Sequence, residues 1–183
     1  MKVKSRHPLV VGTFILTITG ILCRIIGFFY RIYLSRLFGE EGMGLYQLLS
    51  PVLSLSFSLT AAGYQTAISK LVAEQSAKSE TPSLRPLAAG LSISLPLSLL
   101  CNAGIYFGAD FIAGSLLREA RTAGMLRILS FSVPLSAVHS CVNGYFYGVK
   151  KAGIPSASQL LEQLARVGWV FLVSGQALRA GQT

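Results

Sequence analysis

Residues 13–44 read TFILTITGILCRIIGFFYRIYLSRLFGEEGMG. The stretch is apolar enough to enter a bilayer, yet it carries Arg24, Arg31 and Arg36. An arginine near the centre of a lipid-facing helix costs about 2.5–3.5 kcal/mol on insertion scales. A chain that keeps such residues is expected to turn them toward a partner, a water-filled cavity or an anionic ligand. Which of these Arg24 and Arg31 face decides the reading of the whole chain.

The surrounding composition is that of a membrane protein. Of 183 residues, 52% are hydrophobic and only 13% charged, against roughly 25% charged in soluble domains. Residues 42–69, 86–109 and 128–149 carry no Asp, Glu, Lys or Arg. Each run exceeds the ~20 residues that cross a hydrocarbon core as a helix. Barrel strands, which alternate apolar and polar residues over ~10 positions, do not produce such runs. The expected fold is therefore all-α and polytopic, with five transmembrane helices at 9–38, 45–72, 86–107, 126–147 and 156–178.

Charge placement orients these helices. The first eight residues carry Lys2, Lys4 and Arg6, while the turn at 39–44 has only Glu40 and Glu41 as charges. Lys70, Lys78 and Arg85 outweigh Glu74 and Glu80 in the next polar stretch, and Lys150 and Lys151 follow helix 4. The positive-inside rule puts the N-terminus in the cytoplasm of a cell-membrane protein. The first 23 residues resemble a signal peptide, but no small-x-small cleavage site follows and the apolar pattern continues past Arg24. A retained first helix is the stronger expectation.

The net charge of +9 comes from residues scattered at segment ends, without a basic stripe, so a nucleic-acid partner is not expected. Cys23, Cys101 and Cys141 lie far apart in apolar segments and read as packing residues, with no metal or cofactor implied. No GxSxG, P-loop or HExxH pattern occurs, and no paired carboxylates share a face; enzymatic activity is not expected.

Three polar features remain. On a helical wheel at ~100° per residue, Thr13, Thr17, Gly20, Arg24, Arg31 and Ser35 fall within about 40° of one line. Arg36 projects elsewhere. Seven residues separate Arg24 from Arg31, or ~10 Å. Either the guanidiniums snorkel to the outer surface, or the face lines a hydrated cleft and binds phosphate through their planar, permanently charged forks. In helix 2, Gln47, Ser50, Ser54, Ser58, Gln65 and Ser69 form a polar stripe, read as helix packing or as cavity lining. In helix 5, Glu162 and Arg166 are spaced i,i+4 with the acid first, the favourable order for a pair. His139, inside helix 4, is read as a proton-coupling group or as a partner of a neighbouring serine, with the second favoured.

The segment CRIIGFFYRIYLSRLFGEEGMGLYQLLSPVLSLSFSLTAAGYQTAISKLVAEQ, residues 23–75, resembles the first two helices of the stage V sporulation protein B family. That family lies in the polysaccharide-exporter and lipid II flippase branch of the multidrug/oligosaccharidyl-lipid/polysaccharide exporter superfamily. IPSASQLLEQLARV, residues 154–167, resembles its fifth-helix pattern. The resemblance implies twelve to fourteen helices in two lobes around a central cavity. It also implies alternating access and a lipid-linked, undecaprenyl-diphosphate sugar precursor for cell wall or spore cortex as substrate. It carries a cationic-cavity role to Arg24, in CRIIGF; Arg31 falls one residue out of the family spacing. Thr17, Gln47, Glu162 and Arg166 complete the expected substrate-binding set.

Five helices supply most of one lobe, so the expectation is an incomplete first lobe that needs a missing C-terminal lobe, from a fragment or a truncated gene. The alternatives are export of other lipid-linked polysaccharides, a cation-coupled drug antiporter, and a truncated membrane protein that does not transport.

Overall fold

The computed structural model describes the backbone of residues 7–78 and 83–180 and the side chains of residues 12–77 and 83–172. The basic tail at 1–6 and residues 79–82 of the expected cytoplasmic loop lie outside the described residues. Six α-helices account for nearly all of the rest: α1 (His7–Phe57), α2 (Gly63–Lys78), α3 (Arg85–Phe111), α4 (Thr122–Ser130), α5 (Ser132–Gly148) and α6 (Gly153–Ala180). Two π-helical turns, Ser58–Ala62 and Ile112–Leu116, follow α1 and α3. No strand occurs among the described residues. Three helical stretches there are long and apolar enough to cross a membrane: Gly12–Ala77, Arg85–Leu116 and Thr122–Gly148.

The element boundaries depart from the sequence expectation in three places. Residues 39–44, expected as a loop, are helical except at Gly39, whose φ of 70° and ψ of −177° break α1. Only glycine adopts that conformation without a Cβ penalty, so the break falls there and not at Pro51, which stays inside the helix. The expected fourth helix, 126–147, begins earlier and is divided: α4 ends at Ser130 and α5 starts at Ser132, two residues before Pro134. The connection between Leu116 and Thr122 is correspondingly shorter than the gap between the expected helices 86–107 and 126–147. It turns through Arg118, whose φ is 53°.

The chain divides into two compact units, residues 1–40 with 150–183, and residues 41–149. In the second unit α2 packs on α5, and α3 packs on both α4 and α5. Gln65 meets Gly144, while Ser69 and Val72 meet Gly148, so α2 and α5 run parallel. Ser94 Oγ donates to the Thr60 carbonyl at 2.6 Å, and Gly90 lies against Ile68. The stretch 60–68 therefore runs antiparallel to α3. The core has two apolar clusters, one around Leu49, Ile105, Leu126 and Val133, the other around Ile68, Val72 and Cys141.

Polarity is distributed in reverse of a water-soluble protein. Ser56, Thr60, Ser94, Ser98, Ser130 and Ser140 are buried, while Leu100, Phe107, Phe111 and Ile128 are each at least 70% exposed. Hydrocarbon is as apolar as leucine, so large side chains gain little by burial and small ones allow close helix approach. The buried hydroxyls are satisfied locally: Thr60 Oγ1 donates to the Ser56 carbonyl at 2.7 Å and Ser130 Oγ to the Arg127 carbonyl at 2.7 Å.

The closest backbone approach at a described glycine tests this packing. A Cβ at residue 144 would lie 2.6 Å from the Gln65 carbonyl oxygen, whereas one at residue 104 would meet nothing within 4 Å. Gly144→Val is expected to destabilise the protein by about 1–3 kcal/mol through overpacking. Gly104→Ala is expected to be neutral or to stabilise it by about 0.5–1 kcal/mol through helix propensity. Thermal unfolding in detergent micelles checks both.

Candidate substrate-binding face

The first unit brings α1 up to its kink together with α6. Gly12 faces Ala152, Gly27 faces Gln163, and the rings of Tyr33 and Phe171 stack with centroids 4.5 Å apart. Residue numbers rise together along both helices, so they pack parallel. The seam on α1 is marked by Gly12, Leu16, Thr19, Cys23, Gly27 and Tyr30, which are buried or half-buried. The Gln163 amide lies opposite Gly27: its Nε2 would be 3.4 Å from a Cβ placed there, an ordinary contact distance. Gln163 was not among the expected site residues. Its signal is the glycine opposite it, which only the pairing of the two helices reveals.

Arg24 and Arg31 lie about 80–100° round α1 from the centre of this seam, at ~100° per residue. Both are exposed, as are Thr13, Thr17 and Ser35 on the same line. Thr17 Oγ1 donates to the Thr13 carbonyl at 2.9 Å, which satisfies its hydroxyl within the helix. Among the described residues no carboxylate pairs with Arg24 or Arg31; the ion pairs there involve other arginines.

On α6, Arg166 Nη2 donates to Glu162 Oε1 at 2.7 Å, forming the expected i,i+4 pair with both side chains about half exposed. Glu162 and Arg166 lie on the opposite rotational side of their own seam. In a parallel helix pair, such positions flank the same groove as the arginines of the partner helix. Five expected residues, Thr17, Arg24, Arg31, Glu162 and Arg166, therefore border one edge of the α1–α6 seam. The carboxylate on that edge is already engaged by Arg166, which leaves the α1 guanidiniums as its excess positive charge. Gln47, the sixth, is exposed in the second unit.

The polar stripe of the expected second helix does not stay on one face. Gln47, Ser50, Ser54 and Ser58 are exposed, but Gln65 and Ser69 are half-buried against α5. The π-helical turn at Ser58–Ala62 separates the halves. A π-bulge inserts one residue and so rotates everything after it by about 100°. His139 is corrected too: its ring is 3.2 Å from Asn143 Nδ2, one turn on, rather than bonded to a serine. At one end of the second unit, Arg121 pairs with Glu41 and Arg127 with Asp110, both at 2.6 Å and solvent-facing.

The described residues are thus all-helical and apolar-surfaced, with an arginine-bearing helix face. Residues 9–175 match the polysaccharide biosynthesis protein family. The chain belongs to that family.

Its relatives include stage V sporulation protein B of Bacillus subtilis (strain 168), 36% identical over 167 residues, which cover 91% of this chain and 32% of the relative. Lipid II flippase MurJ of the same organism is 28% identical over 176 residues, again 91% of this chain and 32% of the relative. The uncharacterized membrane protein YabM is 29% identical over 178 residues, 97% of this chain and 32% of that protein. The chain thus spans about a third of the length of these relatives. No solved structure matches it. The family resemblance expected from residues 23–75 and 154–167 is borne out, and the chain is membrane-integral.

Proposed function

We propose that this chain is part of a flippase that carries an undecaprenyl-diphosphate-linked sugar precursor across the cytoplasmic membrane by alternating access, rather than an enzyme. One observation carries the reading: an apolar helix of membrane-crossing length exposes Arg24 and Arg31 with no carboxylate partner among the described residues. Lipid gives such a face no compensation, whereas a diphosphate accepts bidentate, charge-assisted hydrogen bonds from guanidinium. The relatives described as a lipid II flippase and a sporulation protein support the same substrate class. Export of another lipid-linked polysaccharide is the second reading, favoured by the family's own description.

The transport reading needs a topology, and we take it to be five crossings with the N-terminus in the cytoplasm. The stretch Gly12–Ala77 has 66 residues, about 99 Å of helix at 1.5 Å per residue, three times a ~30 Å core. Gly39 divides it into two spans. Parallel packing of α6 on the start of α1 supports this division. With 12–77 as one span, α6 would be the fourth crossing and antiparallel to the first; with two spans it is the fifth and parallel. The positive-inside bias of Lys150 and Lys151 agrees.

Two experiments follow. A cysteine replacing Glu41 should react with a membrane-impermeant maleimide from outside the cell, and one replacing Lys151 only after the membrane is opened; labelling of both from one side contradicts five crossings. Arg24→Ala, introduced at the native locus, should slow appearance of the lipid-linked precursor on the outer leaflet. Loss of a charged hydrogen-bonding group worth about 1.5–3 kcal/mol corresponds to a tenfold to hundredfold effect. Arg24→Lys should fall between, because it keeps the charge and loses the fork. Wild-type flipping by Arg24→Ala would remove Arg24 from the site.

A further inference from the structure

Helix α5 has three faces. Val133, Ala137, Ser140, Cys141, Gly144 and Gly148 are buried on one, toward α2 and α3. Leu135, 72% exposed, and Val138 mark an apolar face suited to lipid. Between them, about 120° from the buried face at ~100° per residue, run Ser132, Ser136, His139 and Asn143. Ser132 and His139 are exposed and the other two half-buried.

His139 Nε2 and Asn143 Nδ2 are 3.2 Å apart, so each satisfies one group of the other. The second imidazole nitrogen and the Asn143 carbonyl oxygen have no hydrogen-bond partner among the described residues. His139 sits near the middle of the uncharged run at 128–149, roughly 15 Å from either end of it, and Asn143 about 9 Å from the nearer end, at 1.5 Å per residue. An imidazole at that depth does not reach the interface, and hydrocarbon leaves its polar groups unmet. A face that is neither core nor apolar, at that depth, calls for water or a polar ligand.

The neighbours define the ligand's chemistry. On α2, Lys70 and Glu74 lie level with or beyond Gly148 at the end of α5, because Ser69 and Val72 meet that glycine; on α3, Arg85 and Asp110 lie at the helix ends; on α4, Arg127 lies in the last turn. Among the described residues of these three helices, none at the level of His139 supplies a guanidinium for an anion or a carboxylate for a cation. Imidazole and amide instead offer a donor and an acceptor side by side, which suits hydroxyl and amide groups.

We infer that His139 and Asn143 line a water-filled path and form a hydrogen-bonding subsite for the uncharged, hydroxyl- and amide-bearing head of the transported molecule. This inference rests on the flippase reading and adds to it the residues that contact the sugar.

Cysteines placed singly at 139, 143, 135 and 17, in protein whose native Cys23, Cys101 and Cys141 are replaced by alanine, test it in membrane vesicles with a hydrophilic methanethiosulfonate. The reacting species is the thiolate, which forms only where water reaches. Labelling at 139 and 143 is expected to be at least about tenfold faster than at 135, since a thiol in lipid stays protonated. A farnesyl-diphosphate-linked disaccharide should slow labelling at 139, 143 and 17. Equal rates at 139 and 135 overturn the inference, because the face is then lipid-facing. Protection at 17 without protection at 139 also overturns it and leaves the flippase reading intact. Protection at 139 without protection at 17 supports the subsite and removes the arginine face, and protection at neither position overturns both. Where a cysteine variant fails to insert, His139→Gln should keep protection at a cysteine placed at 143, because it retains a donor and an acceptor, and His139→Leu should lose it.

Discussion

A bilayer offers no hydrogen bonds, and the rest of this structure depends on that constraint. Every peptide group in the membrane must be satisfied within the chain, which leaves helices as the spanning elements for a sequence without barrel periodicity. The same constraint governs side chains. Serine and threonine hydroxyls turn back to carbonyls of their own helices, as Ser56 Oγ does to Val52 at 2.8 Å. Where one crosses to another helix, as Ser94 does to Thr60, it reaches a carbonyl at the π-helical turn. Breaks in the helices fall where a residue tolerates them: glycine at 39, and the π-helical turns that keep peptide groups bonded while shifting the register.

Against this background the polar groups left exposed stand out. Phe14, Phe28 and Phe29 on α1 are exposed, which is the ordinary condition of a lipid-facing surface. Arg24 and Arg31 on the same helix are exposed without that excuse. Their line is distinct from the seam that packs α6, so packing does not require them. Glu162 on the neighbouring helix does not neutralise them, because Arg166 holds it at 2.7 Å. What remains is a positive edge, for which we propose a diphosphate, in a chain that belongs to the polysaccharide biosynthesis protein family.

Much of this was legible in the sequence for physical reasons. Long uncharged runs signal membrane helices directly, and the i,i+4 order of Glu162 and Arg166 specifies their pair. The arginine line followed from helical period alone, because α1 is uninterrupted from Gly12 to Phe38. The stripe from Gln47 to Ser69 was misread for the converse reason: a π-helical turn has no strong sequence mark, and one added residue moves every later side chain to another face. The Gly39 kink was foreshadowed as a glycine-rich turn but confined to fewer residues than expected. Gln163 and the Asn143 partner of His139 depend on which helices pack and in which direction, information that period and composition do not contain.

The central claim is that the arginine edge of α1 faces water inside the membrane rather than lipid. Spin labels at Gly20 and at Phe28, one on the arginine line and one on the apolar surface, test it most directly by relaxation enhancement with a water-soluble nickel chelate and with oxygen. The account predicts that the label at 20 responds chiefly to nickel and the label at 28 chiefly to oxygen. Oxygen-dominated relaxation at both positions would contradict it, because the arginine edge would then be immersed in lipid.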